Sequence, residues 1–240
     1  MHKYKRIVLK LSGEALKDKK TSQIFDALTL KSIVKIIKEY LKLKIQVSIV
    51  VGAGNIWRGK LAKEIGLEVE DADYMGMVAT VINAAALKSI LLKEGVSAEV
   101  LSALAVEKVA KKYTKEEAIE LLSKGTVVIF AAGTGKPFYT TDTCAAMRAI
   151  DINADVLLMA KDGVDGVYTS DPRYHKDATF ISKTTYEELI TLQVEVMDQK
   201  ALMLLKESGI DTIVFGMNDP NNFIKVLKDD KIGTHISWGK

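Results

Sequence analysis

Short apolar runs alternate with longer stretches of helical period along this chain. Arg6 to Leu11 reads as a first strand. Leu28 to Leu43 repeats apolar residues at helical spacing, with Ile33, Ile36, Ile37, Tyr40 and Leu41 on one stripe. Ile45 to Val51 is a near-continuous apolar run, as expected for a strand covered on both faces. Met75 to Lys93 predicts a long Ala-rich helix and Glu99 to Leu104 a short strand. Thr114 to Ser123 predicts a helix with Thr114 as N-cap and Glu117 completing a capping box. Val127 to Ala131 and Val156 to Met159 read as strands, with a helix from Thr141 to Ile150 between them. A helix from Ala201 to Ser208 and a strand from Ile213 to Phe215 follow. This order predicts an α/β fold, a mainly parallel sheet with helices on both faces. Pro137, Pro172 and Pro220 fall in loops, and no linker or repeat divides the chain. One domain over residues 1–240 is expected, with two lobes meeting at a cleft.

Composition narrows the partners. The 48% of hydrophobic residues is ample for a core, and the 27% of charged residues is ordinary for a surface. A net charge of +3 is too small to argue for nucleic acid. Cys144 is the one cysteine, so no intrachain disulfide forms, which fits a reducing cytoplasm. Lys10 follows Val8-Leu9 too soon for a signal peptide, and no stretch approaches the apolar length of a membrane span. No His/Cys spacing suits a structural metal site.

Several nucleotide signatures are missing. A P-loop would need glycine where Phe130 stands, and Pro137 follows Lys136 where Ser or Thr belongs. A dinucleotide fingerprint would need glycine at Trp57. His2, His175 and His235 are far apart in weakly structured contexts and read as surface residues.

Three strand ends run instead into phosphate-friendly turns: Lys10-Leu11-Ser12-Gly13, Gly52-Ala53-Gly54-Asn55 and Ala132-Gly133-Thr134-Gly135. Glycines there let backbone N–H groups approach an anion, and a following helix adds its positive end. Lys10 reads as a phosphate ligand, against the plainer alternative of an edge-strand lysine reaching water. Arg58 suits two phosphate oxygens with its planar fork, or pairs with Glu64 on the surface. Asp73 fits an N-cap for the Ala-rich helix and equally an acceptor for ribose hydroxyls. The stretch from Ala132 to Asp142 is the densest polar-glycine segment, with Thr141 and Asp142 at the opening of a helix. Lys161 to Pro172 is a turn-rich loop or hairpin.

Together these residues resemble the bacterial uridylate kinases of the amino acid kinase family. The likeness runs from Lys10-Leu11-Ser12-Gly13-Glu14-Ala15-Leu16 almost to the C-terminus. It includes the Gly-x-Gly-Asn…Arg-Gly element, Asp73-Tyr74-Met75-Gly76-Met77, Thr140-Thr141-Asp142, Val164-Asp165-Gly166-Val167-Tyr168 and Val196-Met197-Asp198. The resemblance implies a three-layer α/β/α sandwich, with an acceptor-binding N-terminal lobe and an ATP-binding C-terminal lobe. It implies transfer of the γ-phosphoryl of ATP to UMP with Mg²⁺, a homohexamer, GTP as activator and UTP as inhibitor. By position, Lys10, Leu11, Ser12 and Gly13 would hold ATP phosphates. Gly54 and Arg58 would face the phosphates between the nucleotides. Gly52, Ala53 and Asp73 would hold UMP. Thr134, Gly135, Lys136, Pro137, Phe138, Tyr139, Thr140 and Thr141 would wrap its uracil and phosphate. Asp162, Tyr168 and Asp171 would bind the ATP nucleoside. Asp142 and Asp198 would organise the lysines and Mg²⁺, with Lys161 as a second catalytic cation and no metal ligand assigned.

Three positions depart from the family pattern. Ala53 replaces a glycine, Lys136 replaces an asparagine, and the segment from Lys17 to Asp26 has none of the glycines linked in relatives to GTP activation. Two other readings compete: an amino acid kinase acting on a carboxylate or carbamate, and a pyrimidine-sensing protein that binds nucleotides without turnover.

Overall fold

Alternation along the strands divides the core into two halves, one on each face of the central sheet. The computed structural model describes residues 3–18, 20–194, 196–228 and 231–239, so His2 and Lys19 lie outside the described residues. The first half of the chain forms β1 (Arg6–Leu11), α1 (Ala27–Lys42), β2 (Gln46–Val51), α2 (Gly59–Glu64), α3 (Val69–Lys93), β3 (Ala98–Ser102) and β4 (Lys111–Lys112). Then come α4 (Lys115–Ser123), β5 (Val127–Ala131), α5 (Thr141–Asp151) and β6 (Val156–Lys161). The remainder is β7 (Val167–Tyr168), β8 (Phe180–Ile181), β9 (Lys183–Thr185), α6 (Tyr186–Leu192), α7 (Gln199–Ser208), β10 (Asp211–Gly216), α8 (Asn222–Lys225) and β11 (Thr234–Ser237).

Among the described residues the main sheet has nine strands in the order β4-β3-β5-β2-β1-β6-β10-β11-β9. Its pairs are parallel except β10 with β11. Ile7, Leu9 and Leu11 of β1 share a cluster with Ile37 and Tyr40 of α1 and Leu87 of α3. Val8 of the same strand joins Ala145 and Ala149 of α5 and Leu202 and Leu205 of α7 on the other face. The result is the α/β/α layering that the strand–helix alternation predicts.

The chain leaves β1 toward β2 on one side and returns to β6 on the other. Adjacent parallel strands that diverge this way open a crevice at their C-terminal ends. The turns after β1, β2 and β5 all lie at that edge, because these strands are neighbours and parallel.

Several expectations are corrected. α3 begins at Val69 with Glu68 as N-cap, so Asp73 is inside the helix and caps nothing. Thr114 does cap α4 by accepting from the Glu117 N–H, but the Glu117 carboxylate pairs with Lys111. A complete capping box occurs at Thr185 and Glu188 instead. α3 is also long and apolar enough by composition to cross a membrane, contrary to the sequence expectation. Its face of Met77, Val81, Ala84, Leu87 and Leu91 packs on β3 and β5, which accounts for the apolar run in core terms. His235 lies within β11 rather than in a loose segment.

Candidate active site

Two glycine turns touch at the crevice. A Cβ on Gly13 would stand 2.4 Å from the Gly52 carbonyl oxygen, so the turn after β1 closes on the turn after β2 only with glycine there. The Gly52 N–H donates to the Leu11 carbonyl at 3.0 Å, which continues the β1–β2 ladder into the turns.

Lys10 sits on a central strand, not an edge. It shares the α5-facing side of β1 with Val8, and its residue is only 9% exposed. A buried ammonium needs a partner. Asp142, in the first turn of α5, provides it with Oδ1 at 2.8 Å from Nζ. Lys161, at the end of β6, lies on the same face by strand parity with Met159. Its Nζ donates to the Val196 carbonyl at 2.8 Å. Burial pushes its pKa below the ordinary lysine value; Asp142 opposes this and Lys10 adds to it. Two lysines and one aspartate therefore form a single charged group beside the glycine turns, and its net positive charge suits an anion.

Arg58 precedes α2 and is directed to Glu14, with Nη2 and Oε2 2.6 Å apart. Glu14, not Glu64, is thus its partner. Behind the second turn, Asn55 and Asn83 exchange side-chain hydrogen bonds, and Asn83 also donates to the Gly52 carbonyl at 2.7 Å.

The loop after β5 is shaped from both neighbouring helices. Ala132, Gly133, Gly135 and Phe138 all have positive φ. Thr80 of α3 accepts from the Ala132 N–H at 2.8 Å. Asp73, also on α3, accepts from the Phe138 N–H at 2.7 Å. Thr141 reaches the second turn: its Oγ1 is 3.6 Å from where a Gly52 Cβ would stand. Thr134 Oγ1 is engaged locally with the Lys136 backbone. Lys136, Phe138 and Tyr139 are exposed at the tip, and Pro137 is half-buried.

Asp198 is a structural hub. It caps α7 through the Ala201 N–H at 3.0 Å and accepts from the hydroxyls of Thr140 and Thr143. Burial would raise its pKa, but the hydrogen bonds from Thr140, Ala201 and Thr143 outweigh it and lower the value. With both oxygens engaged, it joins α7 to the start of α5. Among the described residues no cluster of three acidic, His or Cys side chains forms a metal cage.

On the far side of Lys161 a cavity of about 490 Å³ is lined by Asp162, Tyr168, Asp171, Val194 and Val196. Tyr168 packs edge-to-face on Phe180 across the β7–β8 hairpin. The Arg173 side chain holds the Asp171 carboxylate down at a pKa of about 2. The sequence-derived residues thus divide into two neighbourhoods joined by Lys10, Asp142 and Lys161. Gly52, Ala53, Asp73 and the loop from Thr134 to Thr141 lie on one side; Asp162, Tyr168 and Asp171 lie on the other.

Sequence reasoning gave no role to Glu14, Thr80, Asn83 or Thr143. Asn83 carried a usable signal, since it is a polar residue among Val81, Ile82 and Ala84.

Comparison with known proteins accords with this geometry. The amino acid kinase family model matches residues 5–216. A uridylate kinase of Limosilactobacillus reuteri is 44% identical over 234 residues, 98% of this chain and 97% of that protein. The crystal structure of UMP kinase from Bacillus anthracis superposes with a TM-score of 0.95 at 37% identity, over 99% of this chain and 97% of that one. That of UMP kinase from Ureaplasma parvum gives 0.92 at 40% identity, over 97% and 98%. The chain belongs to the amino acid kinase family, on its uridylate kinase branch.

Proposed function

We propose that this chain transfers the γ-phosphoryl group of ATP to UMP, giving UDP and ADP. The observation that carries the reading is the Lys10–Asp142–Lys161 group, set between two touching glycine turns and a nucleoside-sized cavity. The uridylate kinase relatives supply the acceptor.

The acceptor is a phosphate oxygen, ionised near neutral pH because the second phosphate pKa is about 6. No strong general base is needed. The task is to hold two anions in line and to neutralise charge spreading over the transferred group. Lys10 and the backbone N–H groups of Ser12-Gly13 and Ala53-Gly54 meet the phosphates. Asp142 aims Lys10, and Lys161 adds a second cation from the donor side. Arg58 exchanges Glu14 for acceptor phosphate and screens the repulsion between nucleotides. Asp73 serves the acceptor ribose while it holds Phe138. Asp162, Tyr168 and Asp171 enclose the donor nucleoside.

Mg²⁺ fits as an ion carried chiefly by the nucleotide, because a lone carboxylate such as Asp142 with several phosphate oxygens is its usual setting. It would add positive charge between the donor phosphates. The two lobes are the acceptor side and the donor side of one continuous sheet. Met75, Val78 and Ile82 form an exposed apolar stripe on α3 at helical spacing, which supports self-association in a homohexamer. UTP would act as an inhibitor by occupying the acceptor neighbourhood. The segment 17–26 gives no support to GTP activation. The cytoplasm, with its nucleotide pools, is the compartment this activity requires.

An ADP-release assay across UMP, CMP, dUMP, AMP, glutamate and carbamate tests the reading. UMP-dependent release well above every other acceptor is expected. Release that is strongest with a carboxylate acceptor, or nucleotide binding without release, would overturn it.

A further inference from the structure

A buried arginine behind the acceptor loop takes no part in the groups described so far. Arg148 lies in the last turn of α5, and only 4% of its surface is exposed. Cys144 precedes it and Ile152 follows it at four-residue spacing, both fully in the core, so Arg148 stands on the buried stripe of its helix. A side chain there for filling alone would be apolar. This one carries a charge into the core, and its Nε has no hydrogen-bond partner. Such a placement is costly and calls for a reason.

Its contacts give one. The guanidinium carbon lies 3.5 Å from the centre of the Tyr113 ring and 5.8 Å from that of Phe130, so the plane is supported by aromatic faces. Nη1 is 3.1 Å from the Asp151 carboxylate, which supplies countercharge. Nη2 points the other way and donates to the Gly133 carbonyl at 3.2 Å. Gly133 and its neighbour Ala132 are consecutive left-handed residues, with φ of 56° and 60°. Alanine adopts that conformation only where its surroundings hold it. Thr80 holds the Ala132 N–H from α3, and Arg148 holds the Gly133 carbonyl from α5. The two side chains grip the root of the loop that continues through Thr134 to Thr141.

We propose that Arg148 is a positioning residue. It fixes the Gly133 carbonyl, sets the path of the loop from Gly133 to Tyr139, and thereby sets affinity for the nucleoside monophosphate acceptor without touching it. This rests on the acceptor role given to that loop under the proposed function.

Arg148→Lys tests it. The ammonium keeps the charge beside Asp151 and the aromatic rings, but cannot fork to Gly133 as well. The KM for UMP is expected to rise about tenfold, the scale of one lost hydrogen bond to a charged group, with the KM for ATP within about twofold. Amide hydrogen exchange on the ligand-free protein should quicken at Ala132 and Gly135 and stay unchanged in α4. An unchanged KM for UMP in the folded variant overturns the proposal. So does a parallel rise in both KM values with faster exchange throughout, which marks a plain core residue. Should Arg148→Lys not fold, Tyr113→Leu removes the platform under the guanidinium and is expected to give the same selective pattern; unchanged exchange at Ala132 and Gly135 there overturns it equally. If the wild-type protein leaves UMP unphosphorylated, the proposed function falls, while the exchange comparison still decides whether Arg148 holds the loop.

Discussion

Asn55 and Asn83 face each other across the base of the second glycine turn and exchange carboxamide hydrogen bonds of 2.8 and 3.0 Å. Asn83 is fully buried on α3, and Asn55 nearly so. The pair satisfies itself, and its spare donors reach outward. Asn83 holds the Gly52 carbonyl and Asn55 holds the Ile24 carbonyl at 2.8 Å. A helix in the core is thereby tied to the backbone of the second glycine turn.

Asn83→Ala leaves the Asn55 side chain and the Gly52 carbonyl without this partner in a buried setting. The expected loss is about 2–3 kcal/mol, or a fall in Tm of roughly 5–10 °C. Calorimetry checks it. A Tm within about 2 °C of wild type would show that the pair does not anchor the turn.

Gly13→Ala drives a methyl group to within 2.4 Å of a backbone oxygen that has no flexible end to yield. The two turns must part. A misplacement of this size costs about 10²-fold in turnover, because in-line transfer depends on near-ideal placement. A steady-state kcat close to wild type would mean that the turns do not cradle the reacting phosphates.

Asp73 holds the Phe138 N–H, on the side proposed for the acceptor. Asp73→Asn should raise the KM for UMP by about tenfold and leave that for ATP within about twofold. Titrating each substrate at saturation of the other separates the two. A change confined to ATP would remove Asp73 from the acceptor site.

Lys161 makes the pH dependence specific. Burial lowers its pKa from the usual 10.5, so its charge is lost earlier in alkaline solution than that of a surface lysine. If its charge serves the transfer, kcat falls on that limb. Stability moves the other way: between the folded and unfolded pKa values the unfolded chain binds more protons, so folding strengthens as pH rises. Lys161→Arg keeps the charge and should abolish the alkaline limb. The kcat–pH profile from about pH 7 to about pH 10 reads it. A limb that persists in the arginine variant would assign it to another group.

Much of this was legible because central parallel strands write themselves as near-continuous apolar runs. β1, β2, β5 and β6 are such runs, and the polar interruption at Lys10 marks where the site begins. The start of α3 was hidden, since Glu68 replaces the usual Ser, Thr, Asp or Asn cap and leaves Asp73 as a false signal. β4, β7, β8, β9 and β11 are two to four residues long, too short for any period to show. The pairing of Arg58 with Glu14 joins residues on separate turns, and only the closing of those turns brings them together. Asp198 could be placed near the site by its family position. Its cap of α7 through Ala201 is local, but its ties to Thr140 and Thr143 depend on how α7 packs against α5.

The most direct test follows ³¹P NMR of a mixture of ATP, UMP and magnesium with the wild-type protein and with Lys10→Ala. The β-phosphate resonance of UDP should grow in step with that of ADP for wild type, and about 10²-fold more slowly for the variant, the scale of a lost transition-state cation. ADP accompanied by inorganic phosphate rather than UDP, or equal rates from the two proteins, would contradict phosphoryl transfer through the Lys10 pocket.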